Sequence, residues 1–176
     1  MTNYRRILIP GATYFFTVNL ANRRKTFLID HIDLLRDAIR YTRQRHPFLI
    51  DAMVVLPDHL HAIWTLPPDD ADFPLRWRLI KTWFSRNLPR GEHRRSSRVD
   101  KSERGIWQRR YWEHLVRDET DFARHVDYIH WNPVKHGHVA RVKDWPYSTF
   151  HRFVRDGVLA DDWGWDGDDA CFGERQ

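Results

Sequence analysis

The hydrophobic pattern of the chain switches between two periods. Residues 13–20, TYFFTVNL, are aromatic and β-branched, which suits a pleated strand. The basic connection ANRRKTF follows. Asp30 then stands where it can cap a helix, Asp33 falls in the first turn, and Leu35, Ala38, Ile39 and Thr42 recur at helical spacing until Pro47. Residues 48–56, FLIDAMVVL, predict a second strand, and Pro57-Asp58 makes a tight break before a third, Leu60 to Leu66. A helix is expected from about Pro74 to Leu88. Leu75, Leu79 and Trp83, with Ile80 and Phe84, would face inward, and Arg76, Arg78, Lys81 and Arg86 mostly outward. Residues 89–105 carry no apolar side chain except Val99 and read as a loop. Residues 106–117, IWQRRYWEHLVR, suggest a fourth strand. Asp118 should cap a last helix that Pro133 stops at about Asn132, because a residue before proline avoids the α region.

Strand, helix, strand, strand, helix, strand, helix is the order of an α+β domain. It implies a mostly antiparallel sheet with helices packed on it, as in ferredoxin-like folds. The expected division is a single domain over residues 1–153 and an acidic tail over 154–176.

Composition agrees with one packed domain. The 176 residues are 41% hydrophobic and 14% aromatic, enough for a sizeable core. No apolar run is as long as a membrane span, and the first residues, MTNYRRILIPG, have no signal-peptide core. One cysteine, Cys171, forms no internal disulfide. A cytoplasmic protein is the simplest expectation. The net charge of +5 is unevenly spread. Arg76 to Arg110 is strongly basic, whereas Asp156 to Gln176 is strongly acidic. A concentrated basic segment is what a polyanion binder carries. The acidic stretch DDWGWDGDD, Asp161 to Asp169, could fold back and compete with such a partner, or could simply solubilise the chain.

Within the third strand, VVLPDHLHAIWTLP places His59 and His61 two residues apart. On a strand that spacing puts both imidazoles on one face, with Ile63 and Thr65, while Leu60, Ala62, Trp64 and Leu66 take the other. The last predicted helix offers a second polar set. Phe122, Val126 and Ile129 should face the core, and Asp121, Arg124, His125, Tyr128 and Asn132 form an adjacent stripe. Tyr128 and Asn132 are one turn apart. Two imidazoles and an amide oxygen make a three-ligand set suited to Mg²⁺ or Mn²⁺ at least as well as Zn²⁺. Such an ion could polarise a phosphate for attack by a tyrosine hydroxyl. His125 reads as a supporting or surface residue. Of the other tyrosines, Tyr111 competes most closely with Tyr128 but lacks a ligand four residues on.

These residues carry a resemblance. His59-Leu60-His61 has the His-hydrophobe-His form of the HUH endonuclease superfamily, and Tyr128 with Asn132 resembles its single-tyrosine branch. YRRILIPGATYFFTVNL, VVLPDHLHAIWTLP, IWQRRYWEH, VDYIHWNPVKHG and DWPYSTFHR look like the REP-associated tyrosine transposases of bacteria, from about Tyr4 to Phe153. The resemblance implies a ferredoxin-like core. It implies a divalent ion, Mg²⁺ or Mn²⁺, on His59 and His61, with Asn132 at the third ligand's position, where related insertion-sequence transposases usually have glutamine. It makes Tyr128 the nucleophile, leaving a 5′-phosphotyrosine and a free 3′-hydroxyl on single-stranded DNA. The implied substrate is a repetitive extragenic palindrome (REP) folded as a hairpin, and the implied form is a monomer. Arg76, Arg78, Lys81, Arg94, Arg95, Arg109, Arg110 and Lys135 could then meet phosphates, and Trp107 could stack on unpaired bases with Tyr111 and Trp112. Two rivals share these features: a hairpin-binding protein without chemistry, and a metal-dependent hydrolase using water.

Overall fold

A computed structural model describes residues 6–89 and 104–164. Its centre is a four-stranded antiparallel sheet: β1 (Thr13–Asn19), β2 (Leu49–Val55), β3 (His59–Thr65) and β4 (Trp112–Leu115), in the order β2-β3-β1-β4. Between them run α1 (Phe27–Asp30), α2 (Ile32–Arg45) and α3 (Phe73–Asn87). After β4 come α4 (Glu119–Lys135), a 3₁₀ turn at Val142–Asp144 and α5 (Phe150–Arg155). This is the α+β, ferredoxin-like arrangement that the order of elements implies.

Strand alternation divides the core in two. Tyr14, Phe16, Val18, Leu60, Ala62 and Trp64 point to one face and pack under α2 and α3. Phe15, Val54 and Ile63 point to the other and pack with Val126 and Ile129 of α4. β3 is buried on both faces, so only chemistry, not burial, distinguishes its histidines from its Leu and Trp.

Several boundaries differ from expectation. Asp30 does not cap a long helix; its carboxylate accepts from Thr26 Oγ1 at 2.5 Å, and a break at His31 separates α1 from α2. The buried face of α3 is Phe73, Arg76, Trp77, Ile80 and Phe84: Ile80 and Phe84 face inward as expected, whereas Leu75, Leu79 and Trp83 are only partly buried. Trp77 sets this face by stacking on Trp64, with ring centres 4.0 Å apart. The fourth strand keeps only Trp112–Leu115, because Arg109 and Arg110 turn outward; Trp107 instead makes an isolated bridge to Leu20.

α4 runs through Pro133 instead of stopping before it. Pro133 sits in the last turn, where few helical bonds remain to be lost, and the end is closed by main-chain bonds. His138 N–H donates to Pro133 C=O and Gly137 N–H to Val134 C=O, with Gly137 at φ 70°, a Schellman ending that needs glycine. The expected boundary after Phe153 falls inside α5. The following residues fold back on the domain, with the Trp163 ring 6.3 Å from His130 and 6.1 Å from Phe150.

Candidate active site

The face of the sheet under α4 holds the candidate residues. His59 and His61 both point to it, with ring centres 5.0 Å apart and planes nearly perpendicular. Register places Asn19 opposite His59, and Thr17 and Val54 opposite His61. Each imidazole is held through Nδ1. His59 Nδ1 lies 2.8 Å from Asp58 Oδ1, and His61 Nδ1 lies 2.9 Å from Thr17 Oγ1. Arg23 pairs with the other oxygen of Asp58, approaches His59 Nδ1 at 3.2 Å and donates to Asn19 Oδ1 at 3.0 Å. Burial pushes the Asp58 carboxyl up, but hydrogen bonds from His59 and Arg23 outweigh it and hold the group at about 2. The carboxylate is therefore charged and fixes the Nδ1–H tautomer of His59.

α4 brings the second set to this face. Its start is capped by Asp118, which accepts from Asp121 N–H at 2.8 Å. One side of the helix then buries His125, Tyr128 and Asn132. The Tyr128 ring lies 5.3 Å from His61 and 6.1 Å from Phe15. Lys135 Nζ lies 3.5 Å from the Tyr128 hydroxyl. Tyr128 is 0% exposed, so the phenol is closed off from water in this state. Asn132 is buried one turn further along, and His136, at the C-cap, brings its ring within 5.2 Å of His59. The structure thus gathers His59, His61 and Tyr128 on one face of the sheet, with Asn132 buried one turn beyond Tyr128.

The donor set fits a divalent ion. With Nδ1 of each histidine engaged by a carboxylate or hydroxyl, Nε2 is the atom that would meet a metal ion, the usual arrangement for a metal-bound imidazole. Asn132 would add a neutral oxygen donor. Among the described residues there is no thiolate, which suits a hard ion.

Another group, which sequence reasoning had not assembled, lies further along the same face. His114, Asp121 and His125 place their ligand atoms within 4.8 Å of one another, close enough to hold a metal ion. Asp121 is already well served: His114 Nε2 is at 2.8 Å, the Arg117 N–H at 3.0 Å and Arg117 Nε at 3.3 Å. Burial raises its pKa, and the bonds from His114 and Arg117 more than reverse this, to about 2. Burial in turn pushes His125 down. A cation here would have to share Asp121 with the Arg117 guanidinium. The spacing of Asp121 and His125, one turn apart, was the available signal; His114 comes from a different element and gave none.

The basic residues separate into distinct environments. Arg78 and Lys81 of α3 line a groove of about 670 Å³ together with Arg6, Arg104 and Arg109. Lys81 Nζ donates to Gln108 C=O at 2.6 Å and lies 6.0 Å from the Trp107 ring. Trp107 is mostly core, edge-on to Phe84, whereas Trp112 is 37% exposed. Arg110 is exposed. Arg76 corrects the sequence reading. It is 0% exposed, paired with Asp70 at 2.7 Å and donating to Pro47 C=O and Asp72 C=O, so it ties α3 to its neighbours and is closed to a phosphate. Arg94 and Arg95 lie outside the described residues.

No family model matches the chain. A REP-associated tyrosine transposase of Escherichia coli K12 is 48% identical over 175 residues, covering 99% of this chain and 98% of that protein. A Haemophilus influenzae protein named for the same family is also 48% identical, over 166 residues, 93% of this chain and 94% of the relative. This chain belongs to the REP-associated tyrosine transposases. The fold agrees: a solved structure of such a transposase bound to a REP hairpin superposes with a TM-score of 0.86 at 48% identity, covering 100% of this chain and 99% of that one. Members are enzymes that act on DNA with a tyrosine nucleophile. Among the described residues, no helix is long and apolar enough to cross a membrane.

Proposed function

We propose that this transposase nicks and rejoins single-stranded DNA beside REP hairpins, with Tyr128 as nucleophile and a divalent ion, Mg²⁺ or Mn²⁺, on His59, His61 and Asn132. The observation that carries the reading is the Tyr128 ring 5.3 Å from His61, with Asn132 one turn beyond on the same helix. The relative bound to a REP hairpin supports the choice of substrate.

The residues divide the work. Asp58 and Thr17 orient the histidines. When bound, the ion would polarise the scissile phosphate and offset its charge. Tyr128 supplies the oxygen that attacks phosphorus, so the strand is held as a phosphotyrosyl ester. That ester keeps the energy of the broken phosphodiester, so joining to a new 3′-hydroxyl needs no nucleotide cofactor. Arg78, Lys81 and Arg109 in the groove, with Arg110, neutralise DNA phosphates. The protein works as a monomer in the cytoplasm.

The test is a denaturing gel of protein incubated with hairpin DNA and Mg²⁺ or Mn²⁺. A covalent protein–DNA band is expected with wild type and absent with Tyr128→Phe or with chelator. Cleavage without a band would favour water as nucleophile, and binding without cleavage would favour a hairpin-binding protein.

A further inference from the structure

Lys135 is the last residue of α4, and its side chain reaches back over Tyr128. Seven residues along a helix return almost to the same direction, so the two belong to one stripe. Lys135 Nζ is 3.5 Å from the phenol oxygen and 4.7 Å from the ring centre. This depends on α4 continuing through Pro133; a helix ending at Asn132 would leave Lys135 in a turn. Phe15 and His61 flank the same ring. Tyr128 is fully buried, whereas Lys135 is half-buried.

We infer that Lys135 is a further catalytic residue: its ammonium contacts the tyrosine oxygen and offsets the charge that builds there and on the phosphoryl group during cleavage and joining. This rests on the reading of Tyr128 as the nucleophile. In cleavage the bond from the tyrosine oxygen to phosphorus forms as the bond from phosphorus to the 3′ oxygen breaks. The phenol proton passes to solvent, and the departing 3′ oxygen takes one up. In joining, a 3′-hydroxyl attacks phosphorus, the tyrosine oxygen leaves with the bonding pair, and the protons move in the opposite sense. Lys135 keeps its three protons in both directions and no further reactant is consumed. A positioned charge beside an oxygen that gains and loses charge is where electrostatic stabilisation acts most directly. A lysine that only touched the DNA backbone would have no reason to rest on this oxygen.

The experiment compares wild type, Lys135→Met and Lys135→Arg, full length, on a hairpin carrying a single-stranded cleavage site. Hairpin affinity is read by fluorescence anisotropy, and adduct formation under single turnover with saturating protein and Mn²⁺. For Lys135→Met we expect affinity within about threefold and adduct formation slowed about 30- to 100-fold, the scale of losing one preorganised charge contact. Lys135→Arg should recover part of the rate. Replacing Tyr128 by difluorotyrosine, whose phenolate is less basic, should shrink the Lys135→Met penalty several-fold. An unchanged rate, a loss explained wholly by affinity, or a penalty indifferent to fluorination would overturn the inference while leaving Tyr128 as nucleophile. Wild-type protein that forms no adduct would instead remove the reading on which it rests.

Discussion

His59 donates its Nδ1 proton to Asp58, the residue immediately before it, across 2.8 Å. The contact fixes the imidazole at the start of β3, so that Nε2 is the atom a metal ion would meet under the proposed function. Asp58→Asn keeps the side chain's shape but loses the charge that selects this tautomer. Its affinity for Mn²⁺ should fall roughly 10- to 100-fold, the usual effect of losing such a partner, while hairpin affinity in chelator stays within about twofold. Isothermal titration with Mn²⁺ checks the first value and anisotropy the second. Unchanged Mn²⁺ affinity would show that the ion is not held by His59.

Arg76 and Arg78 stand two residues apart on α3 yet should fail in different ways. Arg76→Ala leaves Asp70 without its partner and two carbonyls without their donor, so stability should drop by about 3 kcal/mol. Below its melting transition this variant should still bind the hairpin like wild type. Arg78→Ala and Arg109→Ala should melt within a few degrees of wild type but bind more weakly, each lowering the salt slope of log affinity by about 1. Denaturant melts and anisotropy at several salt concentrations separate the two outcomes. Weaker hairpin binding by folded Arg76→Ala would contradict its assignment as a structural residue.

Stability should depend on pH through His130. It lies under Trp163, Phe150 and Phe153, with Nε2 3.1 Å from Thr149 Oγ1. Burial, with lesser contributions from Arg152 and His151, pushes it down to about 3 from an ordinary 6.5. The unfolded chain takes up this proton near 6.5 and the folded chain only near 3. The contribution is therefore complete above 6.5 and is lost as pH falls from 6.5 toward 3. Asp58 and Asp121, held near 2 against an ordinary 3.8, add a further loss below 3.8. Melting temperature should decline from pH 7 to pH 5, and His130→Gln should flatten that slope. The same slope in the variant would exclude His130 as its source.

Gly137 should matter through its backbone alone. At φ 70° it ends α4, and a methyl group there would meet no atom within 4 Å. Gly137→Ala should therefore cost about 1 kcal/mol, from conformation and not from crowding. Because this turn follows directly on Lys135 and His136, adduct formation should slow more than melting suggests. A rate equal to wild type would mean that the helix end need not be held so tightly.

Much of this site was legible in the sequence because strand and helix periods place side chains without further information. His59 and His61 share a face by the period of two, and Tyr128 and Asn132 share one by the helical turn. Pro133 misled because a local backbone preference was outweighed by a well-closed helix end with buried neighbours. Arg76 misled because an arginine on a helix usually means solvent, and nothing near it announces that Asp70 and Pro47 will converge there. His114 could not be joined to Asp121 and His125 before the pairing of β4 with β1 was known, and Arg23 reaches Asp58 from a loop 35 residues earlier.

The alternation of β3 between the α2–α3 side and the α4 side of the sheet also makes the strand intolerant of small insertions and deletions. Adding or removing one residue within it would exchange its two surfaces, sending the imidazoles beneath α2 and α3 and turning Leu60 and Trp64 toward the DNA-processing side. Core and chemistry would be lost in one step. The length of β3 is therefore fixed by both of its faces at once.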